Sequence, residues 1–169
     1  MELQLYLNNL SEVFKRNFEL YNDIVIFDKK LSLYGKYKDI GGRTFLTQND
    51  VIDKFEIYEH CLVQSYDDLK YEDLVNFSDY LKDMTIKLVK PNGEHRSSII
   101  TGIAVSKNNI SKDICNYTKK FKYNKYYKFT LHGWSTVKLV VIELYNNKVI
   151  TNKAAKEDYK VYLHTLSNK

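Results

Sequence analysis

The stretch SSIITGIAVS, Ser97 to Ser106, predicts a strand that is apolar on both faces, and this constrains the fold more than any other feature. Side chains alternate along a strand, so a solvated face needs a polar residue at every second position. A run that lacks this alternation belongs in the middle of a sheet, covered on both sides. The lead-in to it, Gly93-Glu94-His95-Arg96, is polar, so the chain enters its central strand from a charged loop.

The rest of the chain supplies partners for that strand. Leu3, Leu7, Leu10, Phe14, Phe18 and Tyr21 recur at steps of three and four and predict an amphipathic helix over residues 2–22. Four short strands are expected next: DIVIFD, LSLYGKYK, RTFLT after a turn at Gly41-Gly42, and KFEIYEHCLVQS, arranged as an antiparallel meander. Leu74, Phe77, Leu81, Met84 and Leu88 mark a helix that ends before Pro91. Ser111 is placed to cap a helix with Ile114, Tyr117 and Phe121 on its apolar face. YYKFTLHGW and TVKLVVIEL read as two strands joined at Gly133. YNNK reads as a turn into a short VIT, followed by a closing helix capped by Asn152. The order α-β-β-β-β-α-β-α-β-β-α describes an α+β fold with a mixed or antiparallel sheet of about six to eight strands and three to four helices.

At 169 residues the chain fits one domain, 1–169, with no boundary visible, and the acidic loop at Asp67-Asp68 is its expected flexible spot. A domain of this size buries roughly 70% of the surface of its unfolded chain. Cys61 and Cys115 form no metal or redox spacing and are expected as reduced thiols in a cytoplasmic protein. No basic region precedes an unbroken apolar core at the N-terminus, and no run approaches a membrane span, so a membrane is not an expected partner.

Charge is segregated. From Asp50 to Lys87 there are ten acidic residues and four lysines; from Lys107 to Lys138 there are eight lysines and one aspartate. The densest piece is KKFKYNKYYK, where Lys119, Lys120, Lys122, Lys125 and Lys128 interleave with Phe121, Tyr123, Tyr126 and Tyr127. Lysines track phosphates and aromatic rings stack on unpaired bases, so the candidate partner is nucleic acid or another anion. The opposing view is that Phe121 and alternate tyrosines face the core while the lysines are solvated. The acidic and basic regions also offer a charge-paired homo-oligomer.

His95 and Arg96 could bind an anion at the mouth of the sheet. Glu94, His95 and Ser98 are the right types for a triad, but strand alternation sets His95 on the opposite face from the other two, and no oxyanion-hole glycines accompany them. His60, His95, His132 and His164 share no short spacing, so no metal site is expected, and there is no glycine-rich phosphate loop. The early element order resembles the core of restriction-endonuclease-like nucleases. Asp39 and Glu56 could then bind Mg²⁺, yet a lysine two residues after the acidic residue is missing and Lys54 precedes it. Trp134, beside Gly133 at a strand bend, is a packing residue or a ligand platform.

GEHRSSIITGIAVS, FKYNKYYKFTLHGWSTVKLVVIEL and KVITNKAAKE together resemble a family of short uncharacterised proteins from clostridia and related Firmicutes, classed as a domain of unknown function. The resemblance runs from Leu3 to Lys156. It singles out His95, Ser97, Ser98, Phe121-Lys122-Tyr123, Gly133-Trp134 and Thr151-Asn152-Lys153, and it implies no activity. The reading is a non-catalytic, cofactor-free binding or accessory domain. Its candidate binding residues are His95, Arg96, Lys119, Lys120, Lys122, Tyr123, Lys125, Lys128 and Trp134. The alternatives are a degenerate nuclease or a protein-interaction subunit.

Overall fold

The computed structural model describes residues 1–44 and 51–167. In chain order they form α1 (Leu3–Phe14), β1 (Glu19–Ile26), β2 (Lys29–Thr44), β3 (Val51–Tyr66), α2 (Tyr71–Lys87), β4 (His95–Ser106), α3 (Lys112–Lys120), β5 (Asn124–Tyr126), β6 (Trp134–Glu143), β7 (Lys148–Thr151), a 3₁₀ turn (Lys153–Ala155) and α4 (Tyr159–Ser167). The strands make one seven-stranded mixed sheet, ordered β1-β2-β3-β4-β6-β5 with β7 also paired to β6. β3, β4 and β6 run parallel, and the other pairs are antiparallel.

The doubly apolar strand is central, as its pattern requires. β4 lies between two parallel neighbours, and its two faces enter two separate cores. Ile100 and Ala104 face Leu74, Phe77, Leu81 and Met84 of α2 and Ile114 of α3. Ile103 and Val105 face Tyr6 and Leu10 of α1 and Tyr162 and Leu166 of α4. Gly102 lets α2 approach, because a Cβ there would meet Leu81 Cδ1 at 2.1 Å.

Several sequence expectations change. The first helix stops at Phe14, where the Phe18 amide donates back to the Phe14 carbonyl, and Tyr21 enters β1. Period-three spacing carried on into the strand by coincidence of apolar residues. Gly41-Gly42 makes no turn. β2 continues through it because the Phe55 ring lies across Gly41, where a Cβ would meet ring carbons at 2.1 Å, an aromatic side chain covering a strand glycine. Arg43 and Thr44 therefore belong to β2, and Phe45 to Thr47 lie outside the described residues. One strand replaces two, so the order is α-β-β-β-α-β-α-β-β-β-α. The acidic loop is tied down: the Asn108 amide donates to the Asp67 carbonyl, and its side chain donates to Asp68 at 2.8 Å. YYKFTLHGW is no strand either, since pairing ends at Tyr126.

Two buried polar groups fasten the layers. Asn152 caps the 3₁₀ turn by accepting from the Ala155 amide, and also accepts from Leu139 N–H at 3.1 Å while donating to the Val137 and Phe121 carbonyls at 3.0 and 3.3 Å. Asn152→Ala would leave these groups unsatisfied in a buried site. The expected cost is about 3 kcal/mol in urea unfolding, whereas a surface change such as Lys153→Ala should cost under about 0.5 kcal/mol.

His60 is buried and joined to the Tyr34 hydroxyl through Nδ1 at 2.8 Å. Burial, assisted by Lys36, pushes its pKa down from 6.5 to about 4. The folded protein thus keeps the ring uncharged while the unfolded chain takes up a proton below pH 6.5. Its contribution is complete above that pH and is lost as pH falls toward 4. Roughly 3 kcal/mol is at stake, and His60→Gln should flatten this part of the stability profile measured by denaturant titration at a series of pH values.

Candidate functional site

At the entry to β4 the register slips by one. His95 pairs with Glu56 and Ser97 with Ile57, so Arg96 is an extra, bulged residue. The bulge turns His95 onto the α2 face, where alternation alone would not have put it. There Nδ1–H donates to the His132 carbonyl at 2.7 Å and Nε2 meets the Ser98 hydroxyl at 2.8 Å. Tyr58 stacks on one side of the ring and Tyr127 meets it edge-on. The Tyr127 hydroxyl donates to the Thr85 carbonyl at 2.7 Å and pairs with the Ser135 hydroxyl at 2.7 Å. Burial raises the pKa of that phenol, with Ser135 opposing.

This cluster is a clamp. His95 and Ser98 are adjacent after all, but Ser98 is fully buried, so its hydroxyl has no route to a substrate. Both ring nitrogens of His95 are engaged, and Arg96 alone of the pair reaches solvent. Gly133 completes the clamp with φ +73°, and a Cβ on it would meet the Arg96 carbonyl oxygen at 2.3 Å.

The lysine-aromatic segment does not form one surface. Lys119 and Lys120 sit at the C-terminal end of α3, and buried Phe121 accepts Lys82 over its ring. Beyond it the chain alternates. Tyr123 packs against the α2 core, and Lys125 lies over the Tyr127 ring on that same side. Asn124 and Tyr126 point to the opposite face, where Asn124 accepts from Thr136 Oγ1 at 2.6 Å. Lys122 and Lys128 are exposed. None of these five lysines is in an ion pair among the described residues.

The opposite face is the candidate site. Helices α1 and α4 cover only its part around Ile103 and Val140. Toward the start of β4 and β6 the face carries Tyr126 and Trp134, directly paired across β5 and β6, then Ser97 on β4 and Ile57 on β3. Tyr126 is 62% and Trp134 38% exposed, so both present ring surface. Next to them the Arg96 guanidinium lies 5.0 Å from the Phe55 ring centre. An open groove of about 360 Å³ runs here between Lys54, Phe55, Arg96, Leu131 and Trp134. The sequence carried no sign that Phe55 belongs to the site, because only the bulge brings Arg96 over it.

Further along this face Glu59, Lys138 and Asp158 border a smaller cleft of about 280 Å³. Lys138 is ion-paired with Asp158 at 2.6 Å, and burial raises the pKa of Glu59 while Lys138 opposes. The carboxylates proposed for Mg²⁺ separate. Asp39 pairs with Ile57 and shares its face, whereas neighbouring Glu56 points to the other side, held by Lys38 at 2.8 Å and Tyr58 at 3.0 Å. One ion cannot bridge them across the sheet. Among the described residues no group of three or more His, Cys, Asp or Glu is placed to hold a metal.

Gly133→Ala should be among the most damaging single changes, costing about 3 kcal/mol or more, because strain at positive φ adds to a backbone clash. Thermal unfolding checks it, with Gly93→Ala, which meets nothing within 4 Å, as the tolerated control.

Neither a curated protein nor a solved structure matches the chain. A family model described as Domain of unknown function (DUF8052) matches residues 2–164, which spans the clamp, the uncovered sheet face and all four helices as far as His164 in α4. The chain belongs to this DUF8052 family.

Proposed function

We propose that the protein is a non-catalytic, cytoplasmic binding module that holds single-stranded nucleic acid on the uncovered half of its sheet. The observation that carries this is the Tyr126–Trp134 pair, two exposed rings side by side on one face with Arg96 adjoining. Bases in a duplex hide their faces, so paired flat rings on an open sheet suit unpaired bases, each stack being worth about 1–3 kcal/mol. Charge supports the same partner: no acidic residue occurs between Asp113 and Glu143, and of the lysines in this stretch Lys119, Lys120, Lys122, Lys125 and Lys128 form no ion pair among the described residues, while Lys138 is taken by Asp158. The fully buried Ser98 and the separated carboxylates favour binding over catalysis.

Fluorescence anisotropy with labelled oligonucleotides over a salt series tests the reading. Affinity for single strands should fall steeply with salt. Tyr126→Ala or Trp134→Ala should each weaken binding about tenfold with little change in slope. Arg96→Gln and Lys128→Gln should shallow the slope, while Lys125→Gln, on the other face, should do so least. Equal effects of Lys125 and Arg96, or affinity that survives loss of both rings, would place the ligand elsewhere.

A further inference from the structure

Resting on that reading, we infer that the loop from Tyr127 to Gly133 is an apolar wedge that caps the end of a duplex, so that the module prefers a junction between single and double strand. Phe129 and Leu131 are 97% and 77% exposed, the two most exposed large apolar side chains among the described residues. A phosphate-tracking surface has no use for them, and Leu131 has no ring with which to stack on a splayed base.

The loop is built to hold them out. Lys128, Phe129 and Thr130 have φ of 44°, 54° and 76°, three consecutive left-handed residues without a glycine. Such residues each cost about 1–2 kcal/mol and do not follow one another without support. The support is present. The Leu131 amide donates to the Lys128 carbonyl and the Gly133 amide to the Thr130 carbonyl, both at 3.0 Å. The Tyr127 amide donates to the Gly133 carbonyl at 3.0 Å and the His132 amide to the Tyr127 carbonyl at 3.2 Å. Below, Tyr127 is fixed to Thr85 and Ser135, and His95 holds the His132 carbonyl. The base of the loop is thus bonded into the core while its tip faces water.

Tip and platform are continuous. Leu131 lines the same groove as Trp134, Arg96 and Lys54, and Lys128 sits beside Phe129. A single strand lying on Tyr126 and Trp134 therefore runs up against the tip. Where that strand enters a duplex, the first base pair exposes a flat face of three aromatic rings, wide enough for both side chains, and Phe and Leu are types that press against or between base steps. Lysine and arginine around the tip meet the phosphates of both strands at that point.

The test compares three labelled probes with the full chain: a single strand, a blunt duplex, and the duplex carrying that strand as a tail. The tailed duplex should bind about tenfold tighter than the single strand, the gain of one further stacked base. The variant Phe129→Ala should lose this preference while keeping single-strand affinity and its melting temperature, since that side chain lies in solvent and lines no part of the groove. Equal wild-type affinity for tail and single strand, or an equal loss on both probes in the variant, would overturn the wedge and leave the platform intact. No salt-sensitive binding of any probe would overturn the platform and the wedge with it. Sedimentation with phosphatidylglycerol vesicles that depends on Phe129 and Leu131, without a junction preference, would make the tip a lipid contact and overturn the wedge.

Discussion

One extra residue in β4 decides which side chains at this end of the sheet enter the core and which face the open side. Without the bulge at Arg96, His95 would sit on the same face as Ser97, and Arg96 would point toward α2. With it, His95 reaches Ser98 and the His132 carbonyl, and Arg96 reaches the Phe55 ring. The first pair of contacts fixes the loop before β6, and the second sets a cation at the edge of the exposed rings. A bulge kinks and re-aims a strand locally, which makes it suited to a strand that must satisfy a core along most of its length and a site at its entry.

The features legible from residues alone were those governed by period. β4 is central because its apolar run has no polar face, α2 follows its three-four spacing, and Ser111 caps α3 with the bond to Ile114 that its type predicts. What escaped was governed by contacts between distant segments. Gly41-Gly42 carries a turn signature, and only the Phe55 ring lying across it explains why the strand runs on. YYKFTLHGW has strand composition, yet the clamp beneath Tyr127 and His132 commits it to a left-handed loop. For the site, the face alternation within the lysine-aromatic segment was legible in outline, with Phe121 inward. The roles of Phe55, Phe129 and Leu131 were not, because a phenylalanine or leucine in a sequence is by default a core residue.

The residues singled out by the family resemblance fall largely on fasteners. His95 and Ser98 bond to each other, Gly133 fits against the His95 and Arg96 carbonyls, the Tyr123 carbonyl accepts from Val137 N–H, and Asn152 links Phe121, Val137, Leu139 and Ala155. Apart from the His95–Ser98 bond, which lies within β4, these tie β6 and the residue before it to their surroundings: to β4 on one side, to the segment leading into β5 on the other, and to the turn before α4. Trp134 differs from them in being half-exposed, and it is the first residue of that same strand. The strand most heavily fastened is thus the one that carries the platform.

That coupling has an energetic logic. A left-handed run of three residues costs several kcal/mol by the usual penalty per residue, and exposing Phe129 and Leu131 recovers none of it in the free protein. The buried hydrogen bonds of Tyr127, His132 and His95, each worth about 1 kcal/mol net, offset much of the strain but gain nothing from the identity of the side chains at the tip. Any polar pair at 129 and 131 would serve the fold as well and would suit water better. Apolar side chains held in solvent at a strained turn are therefore a cost to the isolated domain that the proposed junction contact would return, and a tip already bonded into shape would give up little conformational entropy in making that contact.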